Sequence, residues 1–175
     1  MRQTLLESLT HGPLTEPAPA PEEASLAELA KRVNRTARVK LGRSLSIRQV
    51  DAGSCNGCEL EIHALNNAFY DLERLGLRFV ASPRHADVLL VTGPVTKNMR
   101  QALLRTYSAT PDPKWVVAVG TCAIDGGVFA DSYAVVGGVK DVVPVDLHIR
   151  GCPPSPTQLL KGLIALLENT TATTR

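Results

Sequence analysis

The sequence predicts a doubly wound α/β domain of the flavodoxin-like kind, with a mostly parallel sheet covered by helices, and three observations predict it. Short β-branched apolar runs at Asp87–Gly93 and Trp115–Gly120 suit strands buried on both faces. Segments of helical period alternate with these runs, which is the pattern of a βαβ chain. Four cysteines each lie just beyond a predicted strand, and open sheets of this class hold their ligands past the carboxyl ends of the strands. A chain of 175 residues with 44% hydrophobic content is ample for one such core.

The elements follow in order. Residues 1–24 carry Pro13, Pro17, Pro19 and Pro21 among alanines, threonines and acids, and read as an irregular arm. Ser25 and Glu28 match the capping-box pattern that opens a helix. Over 25–43, Leu26, Leu29, Ala30, Val33 and Ala37 share one face while Lys31, Arg32, Arg35, Arg38, Lys40 and Arg43 crowd the others. No acid falls between Glu28 and Asp51. This basic amphipathic helix either meets anionic headgroups or an acidic partner, or is an ordinary solvated helix.

The α/β domain is expected over 45–168. Ile47–Val50 is its first strand, and Leu60, Ile62, Leu65, Ala68, Phe69, Leu72 and Leu75 predict a helix over most of 58–75, stopped by Gly76. Strands at 77–80 and 87–93 precede a crossover helix at Thr96–Tyr107, which makes a right-handed βαβ unit with the strand at 115–120. A strand at Val143–Ile149, a helix at Thr157–Leu167 and a tail at 169–175 complete the chain.

Composition excludes several classes. A formal net charge of +2 lacks the basic excess of a nucleic-acid binder. The best apolar run, Leu159–Leu167, falls well short of the roughly 18 residues a membrane-spanning helix requires. Glu7, His11, Pro13 and Glu16 interrupt any signal-peptide pattern, so a reducing compartment and free thiols are expected rather than disulfides. Metal ligation is then the default reading of the cysteines.

The loops that carry them suit an iron–sulfur cluster, which needs four thiolates and close backbone approach. Ser54-Cys55-Asn56-Gly57-Cys58 sets a glycine between two cysteines, Gly120-Thr121-Cys122 sets one before the third, and Gly151-Cys152-Pro153-Pro154 brackets the fourth. Structural zinc commonly uses two Cys-x-x-Cys pairs, whereas here there is one pair and two distant singles. Spacing therefore favours a cluster, with zinc and unrelated buried or redox thiols left open.

Longer stretches carry a resemblance. Ser54–Ile62, Ser82–Thr96, Gly120–Gly127 and Val145–Pro156 resemble the small subunit of membrane-bound (group 4, formate hydrogenlyase-type or energy-converting) nickel–iron hydrogenases and the related B subunit of respiratory complex I, over roughly residues 47–166. Complex I B subunits typically have adjacent cysteines at the first ligand position, and the Asn56-Gly57 spacer looks like the hydrogenase side. The resemblance implies one 4Fe-4S cluster on Cys55, Cys58, Cys122 and Cys152, next to an active site built in a partner large subunit. It implies further iron–sulfur and membrane subunits as partners, and a peripheral place on the cytoplasmic side of the cell membrane.

Within it, Glu61 is a candidate proton-relay carboxylate if burial raises its pKa, and otherwise a salt-bridged helix acid; Glu59 is a weaker candidate. Arg84 either orients cluster or interface loops or is a surface arginine. His63, His85 and His148 read as packing or surface groups, and Asp125 as a brace for the Cys122 loop. The alternatives in function are a quinone-reducing relative of complex I and, from a different class, a zinc-stabilised interaction module.

Overall fold

Apolar residues alternate along the strands, and the alternation makes the sheet two-faced. In a computed structural model, which describes residues 43–169 together with Glu28, Lys31, Arg32, Arg35, Thr36 and Val39, Leu45 and Ile47 of β1 (Leu45–Asp51), Val88 and Leu90 of β3 (Val88–Thr92) and Val117 and Val119 of β5 (Trp115–Val119) enter one core cluster. Val50, Leu89, Val91, Val116 and Ala118 enter a second. The sheet orders these strands β2-β1-β3-β5-β7, where β2 is Leu77–Phe79 and β7 is Leu147–Ile149, and every neighbouring pair is parallel. This is the doubly wound α/β class the sequence predicts.

Helices cover both faces. Helix α1 (Gly57–Ala64) and helix α4 (Pro156–Asn169) seal the first with Ile62, Leu159, Leu160, Leu163 and Leu167. Helix α2 (Lys97–Ala109) and the short α3 (Thr121–Asp125) seal the second with Leu103, Ala123 and Ile124. Thr96 caps α2 by accepting a hydrogen bond from Met99 N at 3.4 Å. Each fully buried leucine contributes on the order of 2 kcal/mol relative to exposure.

The structure departs from the sequence reading at three elements. The helix expected over 58–75 ends at Ala64, because Asn67 Oδ1 accepts hydrogen bonds from Phe69 N and Tyr70 N, a local turn that competes with helix continuation. A separate 3-10 turn occupies Leu72–Leu75. The strand expected from Val143 begins only at Leu147, since Pro144 has no N–H for a ladder. A small antiparallel pair, β4 (Val95–Thr96) with β6 (Val135–Gly137), is additional to the expected elements.

The arm at 1–24, the capping Ser25 and residues 170–175 lie outside the described residues. Within the expected basic helix, Glu28, Lys31, Arg32, Arg35, Thr36 and Val39 are helical, and Arg32 bonds to Glu168 near the end of α4 at 2.6 and 2.9 Å. No helix among the described residues is long and apolar enough to cross a membrane.

Candidate functional site

All four cysteines lie on loops or helix starts at the carboxyl rim of the sheet, and backbone bonds bring those loops together. After β1, Ala52 N donates to Thr92 O at 3.0 Å and Thr96 N donates to Ala52 O at 2.9 Å, tying the first loop to the end of β3. The chain then turns through Asn56, whose left-handed φ of 73° suits asparagine, and α1 starts with Cys58 in its first turn. After β5, Gly120 N donates to Ile149 O at 2.8 Å, and Thr121 N and Thr121 Oγ1 donate to Gly151 O at 2.9 and 3.2 Å. These bonds latch the Cys122 loop to the Cys152 loop.

Glycines keep space beside the sulfurs. A Cβ on Gly120 would stand 2.6 Å from Cys58 Sγ, and one on Gly127 would stand 2.8 Å from Cys122 Sγ, both inside any tolerable contact. Gly57 is more open, with its Cβ direction 3.6 Å from Cys55 Sγ and 3.9 Å from Pro153, which sets the first loop against the last. Asp125 Oδ1 accepts from Gly127 N at 2.8 Å and so braces the turn after Cys122.

The thiols are free, with Cys55 and Cys152 exposed and Cys58 and Cys122 half-buried. Burial above all, and then the negative charges of Glu59, Cys122, Cys55 and Cys152, push the Cys58 thiol from its ordinary 9.0 up to about 12. Cys122 is also raised, first by burial and then by Cys152 and Cys55, against a lowering hydrogen bond from the Val128 backbone. The four sulfurs therefore share one electrostatic neighbourhood. Among the described residues, however, no three His, Cys, Asp or Glu side chains are grouped to hold a single metal ion.

The raised Cys58 pKa sets a reactivity order. In the metal-free chain a brief iodoacetamide pulse at pH 8 is expected to label exposed Cys55 and Cys152 first and Cys58 last, as peptide mass spectrometry will show; early labelling of Cys58 contradicts the geometry. The linkage has a definite sign. Below about pH 9 the thiol is neutral folded or unfolded, whereas as pH rises from 9.0 to about 12 the unfolded chain ionises first and metal-free folding weakens.

The remaining candidates separate. Glu61 is half-exposed on α1, while Glu59 is 4% exposed and neither of its carboxylate oxygens has a hydrogen-bond partner. The burial sought at Glu61 is thus found at Glu59, beside Cys58; sequence period alone does not separate two acids on so short a helix. Arg84 is exposed on the turn Pro83–His85 that precedes β3, at the opposite end of the sheet from the cysteines. The five residues of β3 separate the two ends by roughly 17 Å, so Arg84 does not orient the cysteine loops. His63, His85 and His148 are all exposed.

Residues 55–166 match the family model described as NADH ubiquinone oxidoreductase, 20 Kd subunit. The chain is 44% identical over 151 residues to formate hydrogenlyase subunit 7 of Escherichia coli, covering 86% of this chain and 58% of that protein's length. It is 44% identical over 140 residues to a probable membrane-bound hydrogenase subunit, mbhJ, of Pyrococcus furiosus, covering 80% of this chain and 83% of that one. Among solved structures, a chain of the membrane-bound sulfane sulfur reductase, an archaeal respiratory membrane complex, superposes with a TM-score of 0.65 at 38% identity, over 79% of this chain and 75% of that chain. With its cysteine loops inside the matched span, this chain belongs to the NADH ubiquinone oxidoreductase 20 Kd subunit family and resembles, within it, the small subunits of membrane-bound hydrogenases.

Proposed function

We propose that this chain holds one 4Fe-4S cluster on Cys55, Cys58, Cys122 and Cys152 and carries electrons to or from the active site of a partner large subunit in a membrane-associated hydrogenase. The observation that carries the reading is four free thiols, from three loops, in one electrostatic neighbourhood at the carboxyl rim. Burial first, and then the negative charges of Glu59 and the other cysteines, disfavour a bare Cys58 thiolate, which suits a cationic iron core that takes the thiol protons' place. Structural zinc commonly uses two Cys-x-x-Cys pairs, whereas this chain has one pair and two distant singles.

When bound, such a cluster supplies one-electron redox chemistry whose potential follows hydrogen bonding and solvent access. The chain's own residues set those conditions. Gly120 and Gly127 leave room at the sulfurs, Thr121 fixes two loops to each other, and half-burial of Cys58 limits water on one side. Leu60, Val128, Phe129, Tyr133 and Val136 remain exposed on the segments that follow Cys58 and Cys122, which suits a face covered by a large subunit. Glu61, half-exposed three residues after Cys58 on α1, is the proposed proton-relay carboxylate.

The hydrogenase branch is supported by the names of two relatives at 44% identity and by the Asn56-Gly57 spacer. The matched family's description supports a second reading, the equivalent subunit of a complex I-like quinone oxidoreductase. Cysteines able to hold nickel and iron in the large subunit decide between them. In either case further iron–sulfur subunits, membrane subunits contacted through residues 25–43, and a peripheral place on the cytoplasmic side complete the proposal.

Metal analysis tests the cluster. Purified without oxygen together with its large subunit, the chain is expected to carry iron and acid-labile sulfide in equal amounts, about four of each for a single cubane. Zinc in this subunit with neither iron nor labile sulfide overturns the proposal in favour of the zinc-stabilised module.

A further inference from the structure

At the amino ends of the strands, opposite the cysteines, a cavity of about 240 Å³ opens between Arg43, Arg78, Arg84, His85, Asp87 and Pro111. Three guanidiniums there face a single carboxylate. That carboxylate is already committed to the fold: Asp87, with its side chain only 6% exposed, accepts from Arg43 Nη2 at 2.6 Å and from Ser46 N at 3.0 Å. Arg78 is held by its inner nitrogen, Nε donating to Ser46 Oγ at 3.2 Å, which leaves its terminal nitrogens without an acceptor among the described residues. Arg84 and His85 have no side-chain hydrogen bond or ion pair among the described residues. Helix α2, whose end leads into Pro111, carries no acid along Lys97–Ala109. Among the described residues that line the cavity, Asp87 is the single acid, so the lining carries an excess of positive charge.

We propose that this cavity binds a phosphate group, with Arg78 and Arg84 donating to its oxygens and Arg43, held by Asp87, completing the positive wall. The planar fork of arginine matches phosphate oxygens in pairs. A volume of about 240 Å³ is roughly eight waters at about 30 Å³ each, enough for a phosphate and the first atoms of its ester. The group belongs either to a phospholipid headgroup or to a soluble phosphoester. The site lies a full strand length from the cysteines and is independent of what they hold.

The test uses the full chain in its complex, with inorganic phosphate in one arm and, in the other, phosphatidylcholine vesicles with and without phosphatidic acid. Arg84→Gln removes an exposed side chain with no hydrogen-bond or ion-pair partner among the described residues, so folding is expected to be unchanged, and Arg100→Gln on α2 is a control with the same loss of charge outside the cavity. Arg84→Gln is expected to weaken binding about tenfold, as loss of a charge-assisted hydrogen bond does, with Arg84→Lys intermediate and Arg100→Gln close to wild type. A tenfold loss in the vesicle arm alone assigns the headgroup, and one in the phosphate arm alone assigns a soluble ester. Absence of binding in both arms, or equal weakening by Arg84→Gln and Arg100→Gln, overturns the proposal, the latter because it shows only attraction by net charge.

Discussion

Cys122→Ser is expected to abolish electron flow through the complex. Loss of a group that merely supports a metal ligand typically costs about 10–100-fold in metal affinity or activity, and loss of a ligand exceeds it. Cys122 stands in the short helix α3, latched to the Cys152 loop through Thr121 and flanked by Gly127. A serine hydroxyl fits the same volume, so the fold stays intact while the donor set loses a soft thiolate. Turnover of the assembled complex and its low-temperature electron paramagnetic resonance signal are the measurements. Wild-type turnover in this variant defeats the proposed wiring, because no other route past the missing ligand is offered by the remaining three thiols.

Gly120→Ala is expected to have the next largest effect, on a residue that holds nothing itself. Gly120 has φ 86° and ψ 156°, a region essentially reserved for glycine, and an L side chain there costs about 1–3 kcal/mol. The added methyl would also sit 2.6 Å from Cys58 Sγ and 3.5 Å from Gly151 O, so either Cys58 or the loop must shift. The expected outcome is a melting temperature lowered by several degrees together with weakened retention of iron on dialysis. A control at Gly57, where the nearest atoms stand 3.6 Å away, is expected to keep its metal. Equal behaviour of the two variants argues against a special packing role for Gly120.

Much of this molecule is legible in its residues, for identifiable reasons. The strands at Val88–Thr92 and Trp115–Val119 are apolar on successive residues, because both faces of a parallel sheet are buried, and no tertiary information is needed to see them. That each cysteine follows a strand also orders them on one rim before any coordinates. The same rule counts against the expected role of Arg84 at the cluster loops, since a residue that precedes a strand lies at the amino end and away from the cysteines. Other features depend on competition that period does not report. Apolar spacing carries the first helix to Leu75, whereas the side chain of Asn67 captures two backbone N–H groups and ends it earlier. The contrast between Glu59 and Glu61 turns on which side of α1 meets the sheet and the cysteine loops, a tertiary fact. The two-residue strand Val95–Thr96 is too short to leave any alternation.

Two of the four sulfurs ride on one mechanical unit. Because the residues before Cys122 are bonded to the backbone around Gly151, Cys122 and Cys152 are carried together, whereas Cys55 and Cys58 belong to a loop moored to β3 and β4. Among the described residues no loop backbone hydrogen bond joins the loop of Cys55 and Cys58 to the loops of Cys122 and Cys152, so opening of the rim is expected to follow the seam between these halves. In the proposed complex a subunit seated across that seam is expected to act as a clasp, slowing the entry of oxygen or chelator.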